Sequence, residues 1–473
     1  MGEYATVSRY EIEGDTIIER QRTLAVNATT AVLVVGGGVA GFAAAVASAR
    51  NGAATLLMER FGFLGGIATG GGMNMAYGPF DTTSGIAREI YAKLIEAGSA
   101  VDDVVVPFDS EAFKHQALQM ARQAGVHFLF HTHVVDALVR RGEIKGVVVE
   151  NKSGRSAVLS QVVIDTTGDG DVAAKAGAAF TTGREKDGKM RPISVLFRIG
   201  NIDVPRLLQY VKDHPSEFSR DPAKNIISPE KDFYRLVGFF DIVEKAHTAG
   251  ELDRQLHYVR VENLRACNAI GIINTSRVYD ADGTDAQALT RAEIAGREQN
   301  AQIFAVLKKY CPGFEASYIL DSAAMLGVRE TRHLFGDHVL TEADIATKRK
   351  FPSAIARNAV RMAPGGEAHS PDGTEGSNAD PRQRLLQEDL TWHGVPYEAL
   401  LPRDIDNLLA AGRCLSVDHD ADKWTRVQIC CMATGQAAGT AAALSIKHRV
   451  KPRAVPVNEL RSTLTGQGVA LDY

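Results

Sequence analysis

The sequence has few cysteines, and they follow no recognisable pattern. Five are present among 473 residues, with no C-x-x-C pair and no spacing typical of metal ligands. They are Cys267, Cys311, Cys414, Cys430 and Cys431. An odd number of cysteines without a disulfide framework indicates a reducing compartment, so we expect a cytoplasmic protein.

Long apolar runs and an excess of charge are also missing. No uninterrupted apolar stretch of about 18 residues occurs, and the first residues are charged, so we expect no membrane span and no signal peptide. The formal net charge of −4 gives no reason to expect nucleic acid or an anionic membrane as a partner. With 45% hydrophobic and 23% charged residues, the composition is that of a globular protein of two or three domains.

Glycine, by contrast, is abundant, and one group of glycines has a specific spacing. A short apolar run, residues 32–35, predicts a buried parallel strand. Gly36, Gly38 and Gly41 follow in G-x-G-x-x-G spacing and open a predicted helix over 39–51. A tight turn with exposed N–H groups at a helix start is suited to a pyrophosphate, so the stretch predicts a dinucleotide site.

A carboxylate stands where this type of site needs one. A second apolar run, Thr55 to Met58, ends at Glu59, which is 18 residues after Gly41. A carboxylate at this distance accepts hydrogen bonds from both ribose hydroxyls, which favours FAD or NAD over NADP. The glycine-rich stretch 60–72 then predicts a backbone that passes close to something flat or anionic.

The rest of the chain predicts two regions of different character. We assign residues 1–30 to an N-terminal extension, 31–189 together with 401–473 to a discontinuous FAD-binding domain, and 190–400 to a substrate or cap domain. Helix-like periods are expected at 232–248 and 290–310, and a long loop at 363–383 is either a lid or a connector. The predicted fold class is α/β: a Rossmann-like domain with a parallel sheet and a β-meander, plus an α+β cap domain.

Two apparent metal patterns have simpler explanations. His127, His131 and His133 alternate along a predicted strand, which favours a solvated face over a metal cluster. The Asp169–Asp171 stretch resembles a calcium loop, but position 12 counted from Asp169 is Phe180 instead of glutamate. We therefore expect no metal.

Four segments carry a family resemblance: Val34 to Gly41, Glu59 to Thr69, Asp165 to Asp171 and Asn407 to Gly439. On these motifs the sequence resembles FAD-dependent oxidoreductases of the glutathione-reductase-like (two-dinucleotide-binding-domain) flavoprotein superfamily. The resemblance implies noncovalent FAD. It also separates FAD from NAD, because only the longer FAD requires the chain to return to the cofactor in the later segments.

The resemblance implies a set of cofactor-binding residues. In the adenine half of FAD, the pyrophosphate is bound by Gly36, Gly38, Ala40 and Gly41, and the ribose by Glu59. Arg60 lies near the adenine or a phosphate, and Val134 contacts the adenine through its backbone. The adenosine side is approached by Thr167 and Gly168. In the flavin half, Gly65, Gly66 and Thr69 run beside the ribityl chain and the ring, Gly412 and Arg413 approach the ribityl phosphate, and Gln436 and Ala437, at a helix N-terminus, face flavin N1 and C2=O.

One departure from the superfamily is informative. Its disulfide reductases carry a Cys-x4-Cys just after the paired glycines, whereas residues 65–73 contain no cysteine. This excludes thiol–disulfide chemistry by that route. A covalent thioether through Cys414, Cys430 or Cys431 remains an alternative to noncovalent binding.

Catalytic candidates follow the third FAD segment and lie in the middle region. His419 is placed to take or give a proton while a hydride moves to or from flavin N5. Arg329 and Arg332 either clamp a substrate carboxylate or form ion pairs. His369, in the long loop, is a further candidate.

These features predict a dehydrogenase or reductase that acts on a small organic substrate. Both a monomer and a homo-oligomer are compatible with the sequence, which does not name the electron acceptor or donor. A flavin-dependent monooxygenase is one alternative, although no second G-x-G-x-x-G provides a nicotinamide domain. A non-catalytic binding protein with a flavoprotein fold is another.

Overall fold

The computed structural model describes residues 10–19, 21–78, 80, 83–103, 105–219, 225–264, 267–361, 371 and 390–471. Within these residues the largest sheet has seven strands. In spatial order they are β7 (His127–Leu129), β4 (Thr55–Met58), β3 (Val26–Val35), β10 (Gly154–Asp165), β9 (Glu143–Asn151) and β8 (His133–Arg140), and β21 (Leu408–Ala410) pairs with β10.

Strand β10 joins a parallel half of this sheet to a meander. It pairs in parallel with β3 and β21, and β3, β4 and β7 continue the parallel run. On its other side β10 is antiparallel to β9, which is antiparallel to β8. Because β3 is buried from Val32 to Val35, it reads as a continuous apolar run, as strands covered on both faces do. The predicted mixed α/β fold with a parallel sheet is confirmed.

Helices cover this sheet and form the first core with it. They are α1 (Val39–Arg50), α2 (Gly85–Glu96), α3 (Ser110–Gln123), α9 (His419–Thr425), α10 (Gln428–His448) and α11 (Val457–Gly466). Helix α4 (Asp171–Lys175) instead packs in another apolar cluster, with Leu33 and Val35 of β3. Asp109 caps α3 by accepting hydrogen bonds from two backbone N–H groups of its first turn.

A second sheet has six strands in the described part of the chain. Its spatial order is β13 (Ile226–Ser228), β14 (Phe233–Gly238), β15 (Val259–Leu264), β16 (Cys267–Ile273), β12 (Phe197–Gly200) and β17 (Tyr318–Ser322). Helices α5 (Val204–Asp213), α6 (Phe240–Thr248) and α7 (Ala286–Tyr310) pack on it around a separate apolar core. The helix-like period predicted over 232–248 is wrong in its first half, because the buried strand β14 occupies residues 233–238.

Short two-stranded pairs complete the fold. They are β1 (Tyr10–Glu13) with β2 (Thr16–Glu19), β5 (Met75–Tyr77) with β6 (Val105–Pro107), β11 (Phe180–Thr182) with β18 (Arg332–Leu334), and β19 (Ala354–Arg361) with β20 (Leu390–Pro396). Helix α8 (Glu342–Ala346) precedes β19. Leu340, Ile355 and Val395 belong to the first core, although they lie within the predicted 190–400 domain. The domain limits stay a prediction.

Helix α10 is long and apolar enough to cross a membrane by length and composition, which the search for uninterrupted apolar runs did not detect. However, 83% of its most apolar window is buried inside the protein. Central helices of folded cores satisfy the same criterion, so the helix is weak evidence for a membrane span. Its burial between α1 and β19 accounts for its composition.

Candidate functional site

The glycine turn between β3 and α1 is closed on one side and open on the other. A Cβ at Gly41 would lie 1.7 Å from the Gly36 carbonyl oxygen, and one at Gly36 would lie 2.5 Å from that of Thr166. A Cβ at Gly38 would meet nothing within 4 Å. Gly38 is also the N-cap of α1, and no side chain in the described structure caps this end. The turn therefore presents a free helix start next to open space, which suits a pyrophosphate.

The carboxylate of Glu59 lies against this turn. One oxygen accepts the N–H of Gly37 at 2.6 Å, and the other accepts the N–H of Phe61 at 2.9 Å. The side chain is largely buried, and each oxygen keeps a second lone pair for a hydroxyl group. Glu59 is thus held at the end of β4, where the sequence predicts the ribose.

The second glycine segment packs directly on the first. The N–H of Gly65 donates to the carbonyl of Gly37 at 2.8 Å, and a Cβ at Gly66 would lie 2.9 Å from the Cα of Gly38. Thr69 closes this turn through a 2.8 Å hydrogen bond to the carbonyl of Leu64. Two glycine-rich turns therefore meet at one point.

Two later segments meet each other nearby. The guanidinium of Arg413 donates to Asp169 at 2.8 Å and to the hydroxyl of Thr331 at 3.1 Å. A Cβ at Gly168 would lie 2.9 Å from this guanidinium. Thr167 donates through its N–H and hydroxyl to the buried Asp165, whose pKa burial raises to about 6. The loop after β10 and the turn after β21 are thereby joined, as two segments on one cofactor require.

The two remaining adenine-side candidates are less enclosed. Val134 lies near the start of β8, close to Thr132, whose N–H donates to the carbonyl of Glu59 at 3.1 Å. Arg60 is exposed, with its guanidinium 5.1 Å from the ring centroid of Phe61. Their roles stay predictions.

Gln436 and Ala437 do not stand at a helix N-terminus, and this prediction is wrong. Helix α10 begins at Gln428, with Val427 as an N-cap that provides no side-chain bond. The Gln436 oxygen instead accepts the N–H of Ile86 at 2.8 Å, in the packing of α10 on α2. The small residues of the motif serve the packing of α10 on α1, because a Cβ at Gly435 would lie 2.1 Å from the carbonyl oxygen of Ala40.

The true start of α10 lies against the segment after the second glycine turn. The amide of Gln428 donates to the carbonyl of Met73 at 2.7 Å. Between Met73 and Met75 lies Asn74, which is fully buried, and neither its side-chain oxygen nor its nitrogen has a hydrogen-bond partner in the described structure. An uncapped helix start and an unsatisfied buried amide fit the polar edge of a flavin ring.

The predicted acid–base residue, His419, is part of a buried polar triad. It opens α9, with Asp418 as the N-cap. Its Nδ1 lies 2.6 Å from Oε1 of Glu330, and Nε2 of His333 lies 2.7 Å from the same oxygen. The two histidines hold the pKa of the Glu330 carboxyl well below its usual range, and Glu330 raises the pKa of His333. Sequence reasoning singled out His419 but missed Glu330 and His333 as its partners.

Arg329 and Arg332 are close in sequence to Glu330 and His333, but each has its own protein partners. Arg329 donates to the carbonyl of Pro192 and to the hydroxyl of Ser194. Arg332 donates to Asp171 at 3.0 Å, which agrees with the ion-pair alternative. The carboxylate clamp stays an untested prediction, and His369 lies outside the described residues.

The buried cysteines near the site are suited to packing. Cys414, Cys430 and Cys431 are unpaired, and burial raises the pKa of all three thiols, that of Cys431 to about 12. Neutral buried thiols are poor nucleophiles.

One family model matches most of the chain. The family model for FAD dependent oxidoreductases matches residues 31–464. The chain belongs to this family. It is therefore an FAD-dependent oxidoreductase with FAD as its cofactor, and the open turn at Gly38, Glu59 and the uncapped α10 start fit that group.

Several solved structures are similar to this chain at low sequence identity. A geranylgeranyl bacteriochlorophyll reductase-like protein from Thermoplasma acidophilum is 13% identical over 93% of this chain and 84% of its own, with a TM-score of 0.49. The myxobacterial chondrochloren halogenase is 12% identical over 92% and 78%, with a TM-score of 0.47. The anhydrotetracycline hydroxylase of Streptomyces rimosus is 11% identical over 93% and 65%, with a TM-score of 0.44. At this level of similarity they identify neither a substrate nor a reaction.

Proposed function

We propose that this FAD-dependent oxidoreductase is a dehydrogenase or reductase of a small organic substrate, within the glutathione-reductase-like flavoprotein superfamily. The observation that carries the proposal is the contact of His419 with the buried Glu330 carboxylate at 2.6 Å. A histidine held by an anion is equipped to take up or release the proton that accompanies a hydride transfer.

Different segments of the chain bind different parts of FAD. The turn at Gly38 and the start of α1 bind the pyrophosphate, and Glu59 binds the ribose hydroxyls. The start of α10, with Asn74 beside it, binds the ring edge. Bound FAD supplies the hydride acceptor or donor at N5. His419 then exchanges a proton with the substrate.

The position of His419 supports this role. Thr331, the neighbour of Glu330, accepts a hydrogen bond from Arg413, and Arg413 belongs to the turn after β21. The side chain of His419 is 8% exposed, so surrounding protein largely replaces water around the ring. Exclusion of water favours proton transfer to a bound substrate over exchange with solvent.

The proposal is tested by anaerobic flavin reduction. Holo-protein is mixed with single members of a panel of hydroxy acids, alcohols, amines, amino acids and nicotinamides, and the visible flavin absorbance is followed. The photoreduced protein is tested in the same way with enones and other hydride acceptors. We expect a small substrate to bleach or restore the flavin without oxygen.

The variant His419→Ala then tests the proton role. We expect its rate of flavin reduction to fall by about 10²- to 10⁴-fold, the usual contribution of a general acid or base. His448→Ala is the matched control, because His448 contacts Glu459 on the surface and its loss leaves the rate unchanged. An equal rate in His419→Ala removes that residue from the reaction. Oxygen uptake coupled to nicotinamide oxidation, without anaerobic reduction by substrate, indicates the monooxygenase alternative.

A further inference from the structure

One carboxylate oxygen in the site is shared by two imidazole rings. Oε1 of Glu330 lies 2.6 Å from Nδ1 of His419 and 2.7 Å from Nε2 of His333. The other oxygen, Oε2, accepts the backbone N–H of Arg191 at 2.9 Å. Glu330 is therefore held at both oxygens, and its side chain has no solvent exposure.

The charged groups around the triad come from several elements. The Nε of Arg191 lies 3.9 Å from Oε2 of Glu330 and 3.6 Å from Asp422 of α9. Arg426, between α9 and α10, lies 3.3 Å from the same Asp422. Asp169 and Arg413 form a further ion pair, at 2.8 Å. With both imidazole rings on Oε1 and the guanidinium of Arg191 near Oε2, Glu330 remains an anion, and an anion accepts hydrogen bonds from both rings.

Two histidines and a carboxylate are also a donor set for a divalent metal, and their ligand atoms lie within 4.8 Å of one another. However, the two nitrogens approach a single oxygen at hydrogen-bond distances, which requires a proton between each pair of atoms. The nearby guanidinium of Arg191 would also repel a cation. The geometry favours hydrogen bonds over a metal centre.

We propose that Glu330 is a positioning residue for the reaction: it holds His419 as the tautomer that is protonated on Nδ1, so that Nε2 carries the lone pair that exchanges a proton with the substrate. This inference rests on the proposed role of His419. The bond to Glu330 fixes the ring orientation and the protonated nitrogen together.

The variant Glu330→Gln gives a directional test. The N–H of Arg191 only donates, so the glutamine oxygen must take the place of Oε2. The glutamine NH₂ group then faces the two rings and donates to them. His419 must accept at Nδ1, and its own proton moves to Nε2. The substitution therefore reverses the tautomer without changing the size of the side chain.

The tautomer is measured directly by long-range ¹H–¹⁵N spectra of holo-protein labelled with ¹⁵N-histidine, with His419 assigned by the loss of its signals in His419→Ala. We expect the Nδ1–H form in wild type and in Glu330→Asp, and the Nε2–H form in Glu330→Gln. Glu217→Gln is the matched control, because Glu217 is equally buried but contacts Tyr210 in the second-sheet region. An Nε2–H form in the wild type overturns the proposal even if Glu330→Gln does not fold.

Kinetics and metal analysis complete the test. With the substrate found in the panel, we expect Glu330→Gln to reduce flavin about 10²-fold more slowly near neutral pH and with an altered pH profile, and Glu330→Asp to recover most of the rate. An unchanged rate and pH profile in Glu330→Gln contradict the proposal, and so does a stoichiometric metal in the purified wild type. If His419→Ala keeps its rate while Glu330→Gln reverses the tautomer, the proposed function fails and the positioning contact stands.

Discussion

Gly38 and Gly41 belong to one motif, yet the structure gives them opposite surroundings. The Cβ position at Gly41 is occupied by backbone, whereas that at Gly38 opens toward the expected pyrophosphate. The backbone of Gly38, with φ −62° and ψ −176°, is accessible to alanine. These surroundings favour a folding role for Gly41 and a ligand role for Gly38.

We therefore expect different defects from Gly38→Ala and Gly41→Ala. Gly38→Ala changes the free energy of unfolding of the apoprotein by at most about 1 kcal/mol, the cost of alanine at an N-cap. It weakens FAD binding by about tenfold or more, because the methyl group occupies the place of the phosphate. Gly41→Ala destabilises the apoprotein by about 2 kcal/mol or more through overpacking. Urea unfolding and FAD titration followed by fluorescence separate the two. Equal FAD affinity in Gly38→Ala and wild type would show that the open space is not the phosphate site.

At the residue scale, the sequence was sufficient for local motifs and insufficient for contacts between distant segments. Glu59 was predicted because strand, turn, helix and carboxylate follow at fixed spacing. Glu330 and His419 are 89 positions apart, and no spacing rule relates them. The residue types did give an indication. Glu330 lies between the two arginines considered as candidates, and His333 directly follows the second of them. Only the fold shows which of these side chains meet.

At the element scale, the contact of α1 with α10 organises the site. A Cβ at Gly439 would lie 2.1 Å from the carbonyl oxygen of Ala44, so the two helices touch through their backbones. This close packing fixes the start of α10 relative to the turn before α1. It also explains the wrong prediction for Gln436: a motif rich in small residues suggested a helix start, whereas the structure uses those residues in the middle of a helix.

Alanine substitutions test this packing. In an exposed helix, replacing glycine by alanine raises the free energy of unfolding by up to about 1 kcal/mol. At Gly439 the steric overlap outweighs that gain, and we expect Gly439→Ala to lower the free energy of unfolding by about 1–3 kcal/mol. Gly466→Ala in α11 is the control, because a Cβ there meets nothing within 4 Å, and we expect a small increase in stability. Thermal and urea unfolding measure both variants. Stabilisation by Gly439→Ala would contradict the close approach.

At the scale of the whole molecule, pH acts on stability through a buried histidine. His393 on β20 is 1% exposed, and neither ring nitrogen has a hydrogen-bond partner in the described structure. Burial lowers its pKa from 6.5 to about 4. Below pH 6.5 the unfolded chain binds a proton at His393 that the folded chain does not bind. The contribution of neutral His393 to the free energy of unfolding is therefore complete above pH 6.5 and is lost as the pH falls toward 4.

We expect the wild type to lose about 2 kcal/mol more stability than His393→Leu between pH 7.5 and pH 5. Because both proteins carry the other titrating groups, the contributions of those groups to the pH dependence cancel in the comparison. Among these is Asp165, whose raised pKa acts in the opposite direction because its contribution is lost as the pH rises. Urea unfolding at the two pH values provides the measurement. Equal pH dependence in the two proteins would mean that His393 is solvated or bonded.

The mixed α/β fold was predictable as a whole because the apolar strands, glycine turns and β-meander are local patterns. The limits 190–400 of the predicted cap domain stay a prediction, although Leu340 and Val395, within that range, share a core with the first helix. Apolar periodicity shows that a segment is buried but not which core receives it. Likewise, β14 was taken for helix because a strand buried along its length lacks alternation.

The pairing of β21 with β10 has a consequence for synthesis. Asp165 and its partner Ala410 are 245 residues apart (410 − 165). At about 5–20 residues per second, a ribosome needs some tens of seconds to deliver the second strand after the first. During that interval one edge of the carboxyl half of β10 lacks β21, and the side of α1 that carries Ala40 and Ala44 lacks the glycines of α10. Both surfaces are apolar. The nascent chain is then open to aggregation, so its yield depends on chaperone supply as well as on the stability of the finished enzyme.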